Sequence, residues 1–213
     1  MIVPVPSFFD PARAALVVID MQNDFCAPNG FLALRKGYDV AFADGVADRI
    51  EALLPHARAA LGAVVWVRSH YDFRYLNSAE IAKRGEEGCC MEGSAGADFY
   101  RLVPMPDEAV VTKHHFDGFH DTDLDAQLRG RGIDTLVLCG VATNVCVEST
   151  LRSGFFRGYH VLLLDDCTGS GNRAGHDGTI ATVRTNFGTV LSSADMVAAL
   201  AGGMPTATPP PGR

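Results

Sequence analysis

The sequence predicts a three-layer α/β/α protein built on an open, mostly parallel sheet of about six strands. Three observations predict it. Its short apolar runs are continuous rather than alternating, as in strands buried on both faces. Stretches of helical period lie between several of those runs. The chain has 213 residues, 47% of them hydrophobic, which is enough to bury one sizeable core.

Taken in order, "ALVVID" (Ala15–Asp20) is the first strand. Val46, Ile50, Leu53, Leu54 and Ala57 then fall at helical spacing, and "AVVWVR" (Ala63–Arg68) is the second strand. The segment Tyr71–Asp107 is long, glycine-rich and irregular. Loops of this length are commonly functional, and ligands of open α/β sheets bind beyond the carboxyl ends of the strands. This loop follows a strand and is placed to cover that edge. "AVVTK" (Ala109–Lys113) is the third strand, and Thr122–Gly132 reads as a helix with a capping residue at its start and glycine at its end. "TLVLCG" (Thr135–Gly140) precedes a helix over Asn144–Gly158, with Val147, Leu151 and Phe155 on one face. "HVLLLDD" (His160–Asp166), a helix over Gly178–Gly188, a weak strand at Thr189–Leu191 and a helix capped by Ser193 complete the pattern. Residues 1–201 read as a single domain. The tail 202–213, rich in proline and glycine, reads as flexible.

The net charge of −7, without a lysine or arginine run, argues against nucleic acid or an anionic membrane as a partner. No apolar stretch approaches the ~20 residues of a membrane span, and the N-terminal segment lacks the basic region of a signal peptide. Six cysteines without CxxC spacing then read as reduced thiols in a cytoplasmic protein.

Three reactive side chains stand at or just past strand ends: Asp20, Lys113 and Cys146, the last at the opening turn of a helix. Each has a plain alternative, as a turn residue, a solvated lysine and a core cysteine. Together on one sheet edge they suit acyl transfer from an amide. A thiolate is a competent nucleophile, and a helix N-terminus and an ammonium both lower a thiol's pKa. A carboxylate can take the thiol proton and return it to a leaving amine, and N–H groups of the tight "GVATNVC" turn can hold an oxyanion.

"VVIDMQNDF", "VVTKHHFDGF" and "GVATNVCVESTLRSGF", in that order, resemble the isochorismatase-like cysteine hydrolases over about Ala14 to Leu200. The resemblance implies Asp20 as base, Lys113 as its cationic partner and Cys146 as nucleophile. It also implies a cis peptide at Val141–Ala142, an oxyanion hole from the N–H groups of Ala142 and Cys146, and a homo-oligomer, dimer or tetramer. Nicotinamidases of this family carry a D-x-H…H metal site after the second strand. Here "RSHYDF" puts Ser69 in place of the aspartate and Tyr71 in place of the first histidine, with His70 one residue out of step. No metal or other cofactor is therefore expected. Cys146 also argues against vinyl-ether cleavage. "TNVCVESTLRSGF" is nearest to ureidoacrylate-type members, while "NDFCAPNGFLALRKGYDV" and "LLLDDCTG" are nearer to biuret hydrolases. Both branches cut the C–N bond of an N-carbamoyl group. The expected partner is thus a small-molecule amide, with Phe25, Val141 and Val145 lining a narrow apolar pocket; ordinary packing is the competing reading of those three.

Other readings stay open. Lactams, imides and nicotinamide-like amides are alternative substrates. "GSGNRAG" (Gly169–Gly175) is a loose dinucleotide pattern without its structural context. His114, His115 and His120 offer a Cys–His dyad, with His115 the candidate to reach the site. The vicinal Cys89 and Cys90 could be reactive or incidental. A binding protein that kept the fold and lost the chemistry is the non-enzymatic alternative.

Overall fold

The structure is a computed structural model that describes residues 5–84 and 88–202. Six strands form one sheet: β1 (Ala14–Ile19), β2 (Ala63–Ser69), β3 (Ala109–Lys113), β4 (Thr135–Val141), β5 (His160–Gly169) and β6 (Thr189–Leu191). Their order is β3-β2-β1-β4-β5-β6, and every neighbouring pair is parallel. Along the chain come α1 (Asn23–Cys26), α2 (Phe31–Lys36), α3 (Phe42–Ala60), α4 (Ser78–Arg84), α5 (Leu124–Arg129), α6 (Glu148–Phe156), α7 (Arg173–Asn186) and α8 (Ser193–Ala201). The strand order reverses between β1 and β4, and a crevice at such a switch point is where open α/β sheets place ligands.

β1 explains the continuous apolar runs. Leu16 and Val18 pack on one face with Ile50 and Leu53 of α3 and Met196 of α8. Val17 and Ile19 pack on the other with Leu128 of α5, Leu151 of α6 and Val183 of α7. All six residues of β1 are buried, and each fully buried large aliphatic contributes about 1.5–3 kcal/mol. The five helical positions read from Val46 to Ala57 are likewise buried on α3.

Four expectations shift. Phe155 is not buried with Val147 and Leu151; it is 40% exposed, near the end of α6, where its ring meets Phe156 and Phe187. α7 begins at Arg173 rather than Gly178, capped by the Asn172 side chain on Gly175 N–H at 2.9 Å. The last glycine of "GSGNRAG" therefore sits in a helical turn. The cap of α8 is Ser192, in a capping box with Asp195, while Ser193 N–H and Oγ donate to Asp166. The Tyr71–Asp107 segment contains α4 and two short 3-10 turns, Phe73–Tyr75 and Ala95–Ala97. Gly202 ends α8; the rest of the predicted flexible tail lies outside the described residues. Among those residues, no helix is long and apolar enough to cross a membrane.

Gly140, next to last in β4 and at the register shift against β5, has φ +107°. A Cβ there would lie 2.0 Å from the Ile19 carbonyl oxygen. Gly140→Ala is expected to lower stability by about 3 kcal/mol or more, read as a fall in the urea unfolding midpoint.

Candidate active site

The first side chain comes from the end of β1. Asp20 has φ +52°, and its N–H donates to Val67 O at 2.8 Å. The next residues turn back at once: Gln22 N–H bonds Asp20 O. The buried Gln22 side chain then donates to Ser69 O (3.0 Å) and Ala97 O (2.9 Å) and accepts from Ser69 N–H (2.7 Å). Gln22 thereby fixes the end of β2 beside the end of β1.

Lys113, at the end of β3, is wholly buried and its Nζ lies 2.8 Å from Asp20 Oδ2. The ammonium donates to Ser69 Oγ (2.7 Å), Tyr71 OH (2.8 Å) and His115 O (3.1 Å). Ser69 Oγ in turn donates to Asp20 Oδ1 at 2.9 Å. The ammonium neutralises Asp20 at 2.8 Å, and among the described residues no well-directed hydrogen bond reaches Oδ2. A buried carboxylate oxygen with a free lone pair is poised to accept a proton. Burial is the largest effect and disfavours the Lys113 charge, but Asp20, Cys146 and Tyr71 together outweigh it and hold the ammonium well above its usual pKa.

Cys146 lies on a wide π-type turn, Thr143–Val147, that leads into α6. The turn is pinned by Thr143 Oγ1, 2.9 Å from His176 Nδ1 and 3.2 Å from Thr168 Oγ1, and by Thr168 Oγ1 donating to Gly140 O at 2.8 Å. The Val141–Ala142 peptide is cis. Cys146 is buried, with its Sγ 3.5 Å from Tyr71 OH.

The expectation of a thiol lowered by the helix N-terminus and the ammonium is corrected here. Burial is the largest effect and pushes the Cys146 thiol up to about 12; Lys113 opposes this and the Asp20 charge adds to it. Desolvation wins because the sulfur is buried.

Asp20, Tyr71, Ala142 and Cys146 line a cavity of about 700 Å³. The predicted Phe25, Val141 and Val145 line it too. Asn144 and Phe116, which the sequence did not single out, also face it. Tyr71, Leu76 and Cys89 bring the long segment after β2 to the cavity wall. Cys89 Sγ is 3.9 Å from Cys90 Sγ.

Ser69 and Tyr71 stood out in the sequence only as departures from a metal motif; in the structure both bond Lys113. The signal available was their place, polar side chains at the carboxyl edge of β2. His70 is buried. Two groups of His, Cys, Asp or Glu among the described residues bring ligand atoms close together, Asp24–Cys89–Cys90 and His115–His120–Asp121; neither includes His70. The His115 ring is engaged by Glu80, 2.9 Å away, and it is the His115 carbonyl that meets Lys113. The His114 ring stacks on Tyr75, and His120 is exposed.

This architecture is the isochorismatase-like α/β hydrolase fold. The isochorismatase domain family matches residues 14–195. A ureidoacrylate amidohydrolase RutB from Methylobacterium radiotolerans is 37% identical, over 97% of this chain and 86% of that one. A cysteine hydrolase from Pseudomonas syringae pv. phaseolicola 1448A superposes with a TM-score of 0.82 at 28% identity, covering 94% of this chain and 98% of that one. An N-carbamoylsarcosine amidase from Thermoplasma acidophilum gives 0.69, also at 28% identity, covering 85% and 96%. The chain belongs to the isochorismatase family.

Proposed function

We propose that the protein is an amidohydrolase that cleaves a C–N bond of a small ureido or N-carbamoyl compound, using Cys146, Asp20 and Lys113 and a thioester-type acyl-enzyme. The observation that carries this reading is Cys146 lining a largely apolar cavity together with a buried carboxylate, Asp20, that is paired with the buried Lys113 ammonium.

Cys146 Sγ attacks the carbonyl carbon while its proton passes to Asp20. The backbone N–H groups of Ala142 and Cys146 hold the oxyanion. As the tetrahedral adduct collapses, the C–N bond breaks and the leaving nitrogen takes the proton from Asp20. Water then attacks the acyl-enzyme, with Asp20 accepting its proton, and the thiol is restored. Lys113 keeps its charge throughout and holds the carboxylate ionised between transfers. If a carbamoyl group is transferred, the product is carbamate, which breaks down to ammonia and carbon dioxide. Phe25, Val141 and Val145 make walls that suit a small planar substrate.

The named relatives act on ureidoacrylate and N-carbamoylsarcosine, and both compounds carry the N-carbamoyl unit that this cycle requires. The test is a panel of ureidoacrylate, biuret, N-carbamoyl amino acids, nicotinamide and lactams, following ammonia and amine release. Highest kcat/KM on a ureido compound is expected; preference for nicotinamide or a lactam overturns the substrate class. The reading also takes residues 1–201 as one domain acting as a homo-oligomer without a metal. Light scattering tests the assembly, and activity after exhaustive EDTA treatment tests the metal.

A further inference from the structure

We infer that Tyr71 is a further catalytic group, whose hydroxyl donates a hydrogen bond to the Cys146 sulfur as the thiolate forms. The inference rests on the reading of Cys146 as nucleophile. Its basis is the direction of the bonds. Lys113 Nζ is 2.8 Å from Tyr71 OH, and an ammonium has no acceptor, so the phenolic oxygen must accept there. The single phenolic proton is left for another partner. His115 O at 3.3 Å and Cys146 Sγ at 3.5 Å are both in reach.

The choice between them follows the charge on sulfur. A neutral thiol is a weak acceptor, so in the resting site the carbonyl is preferred. A thiolate is a far stronger one. Ionisation of Cys146 therefore turns the proton toward sulfur by rotation about the phenolic C–O bond, with no heavy atom moving. The groups facing the sulfur are Asp20 from the end of β1, Lys113 from the end of β3 and Tyr71 from the segment after β2. Asp20 opposes a negative sulfur, Lys113 favours it and Tyr71 supplies the hydrogen bond. Burial, reinforced by the Cys146 charge, holds the phenol well above its usual range, so it keeps its proton while the thiol loses one.

Tyr71 is held for this task. Its N–H donates to Cys89 O at 3.1 Å, and its ring meets the edges of Phe25 and Phe116 at centroid distances of 6.0 and 6.2 Å. Phenylalanine keeps those ring contacts and removes only the hydroxyl.

The experiment compares Tyr71→Phe with the unaltered enzyme in two readouts: the rate of Cys146 alkylation by iodoacetamide from neutral to alkaline pH, located by mass spectrometry, and steady-state turnover. Alkylation at a given pH and kcat are both expected to fall about 10- to 100-fold, the weight of one hydrogen bond to a charged group. The alkylation profile should move to higher pH, with KM little changed. A profile that coincides with that of the unaltered enzyme overturns the proposal. If the phenylalanine variant does not fold, 3-fluorotyrosine incorporation makes the phenol a stronger donor and should move the profile to lower pH; an unmoved profile overturns the proposal equally. Cys146→Ala separates this from the underlying reading: an active alanine variant removes Cys146 as nucleophile, whereas an inactive one beside an unchanged Tyr71→Phe profile removes Tyr71 alone.

Discussion

Cys146→Ala is expected to reduce amide turnover by at least about 10⁴-fold, the scale on which a covalent nucleophile's removal is felt. Everything else in the site is built around that sulfur. The turn that carries Cys146 is tied down through Thr143, which meets His176 and Thr168. The variant should therefore keep its circular dichroism and unfold near the same urea concentration. Ammonia and amine release on the preferred ureido substrate is the measurement. Turnover within tenfold of the unaltered enzyme would remove the covalent mechanism.

Lys113→Met should be costly in two ways. It leaves the Asp20 carboxylate buried without its counter-charge and removes the donor to Ser69 Oγ, Tyr71 OH and His115 O. Breaking a buried pair from one side costs about 3–5 kcal/mol, to be read from the urea midpoint. Turnover should fall at least ~100-fold, since the base loses the charge that holds it. Adding Asp20→Asn removes the uncompensated charge. The double variant should regain much of the stability and stay inactive. A stable, inactive single variant would show that the pair serves chemistry alone.

The strand ends were the legible part of this protein. Asp20 and Lys113 each end an apolar run, and Cys146 follows one through a short turn, so local pattern alone brings all three to one edge. The hydroxyl network was not legible. Ser69 meets Asp20 and Lys113, and Tyr71 meets Cys146, across sequence separations of 44 to 75 residues. In the sequence both residues are merely polar positions after a strand. The thiol's character was misread for a related reason. Proximity to a helix start and an ammonium can be read from order along the chain, but desolvation depends on what the rest of the fold packs around the sulfur. The two adjacent serines at the start of α8 show the limit at small scale: either could cap, and the choice fell to Asp166, which takes Ser193 and leaves Ser192 to the helix.

The exposure of the Asp20–Lys113 pair, 1% and 0%, bears on how the enzyme responds to ionic strength. Mobile ions screen charges they can surround, over about 8 Å at physiological salt; they cannot enter between these two. The pair should hold its strength from dilute buffer to concentrated salt, and kcat should stay flat. A small-molecule substrate, by contrast, approaches a chain of net charge −7 across open water, past Lys36, Lys83 and Asp39 along the cavity. Whatever salt dependence is measured in kcat/KM therefore reports the encounter, and none of it the bond-breaking step.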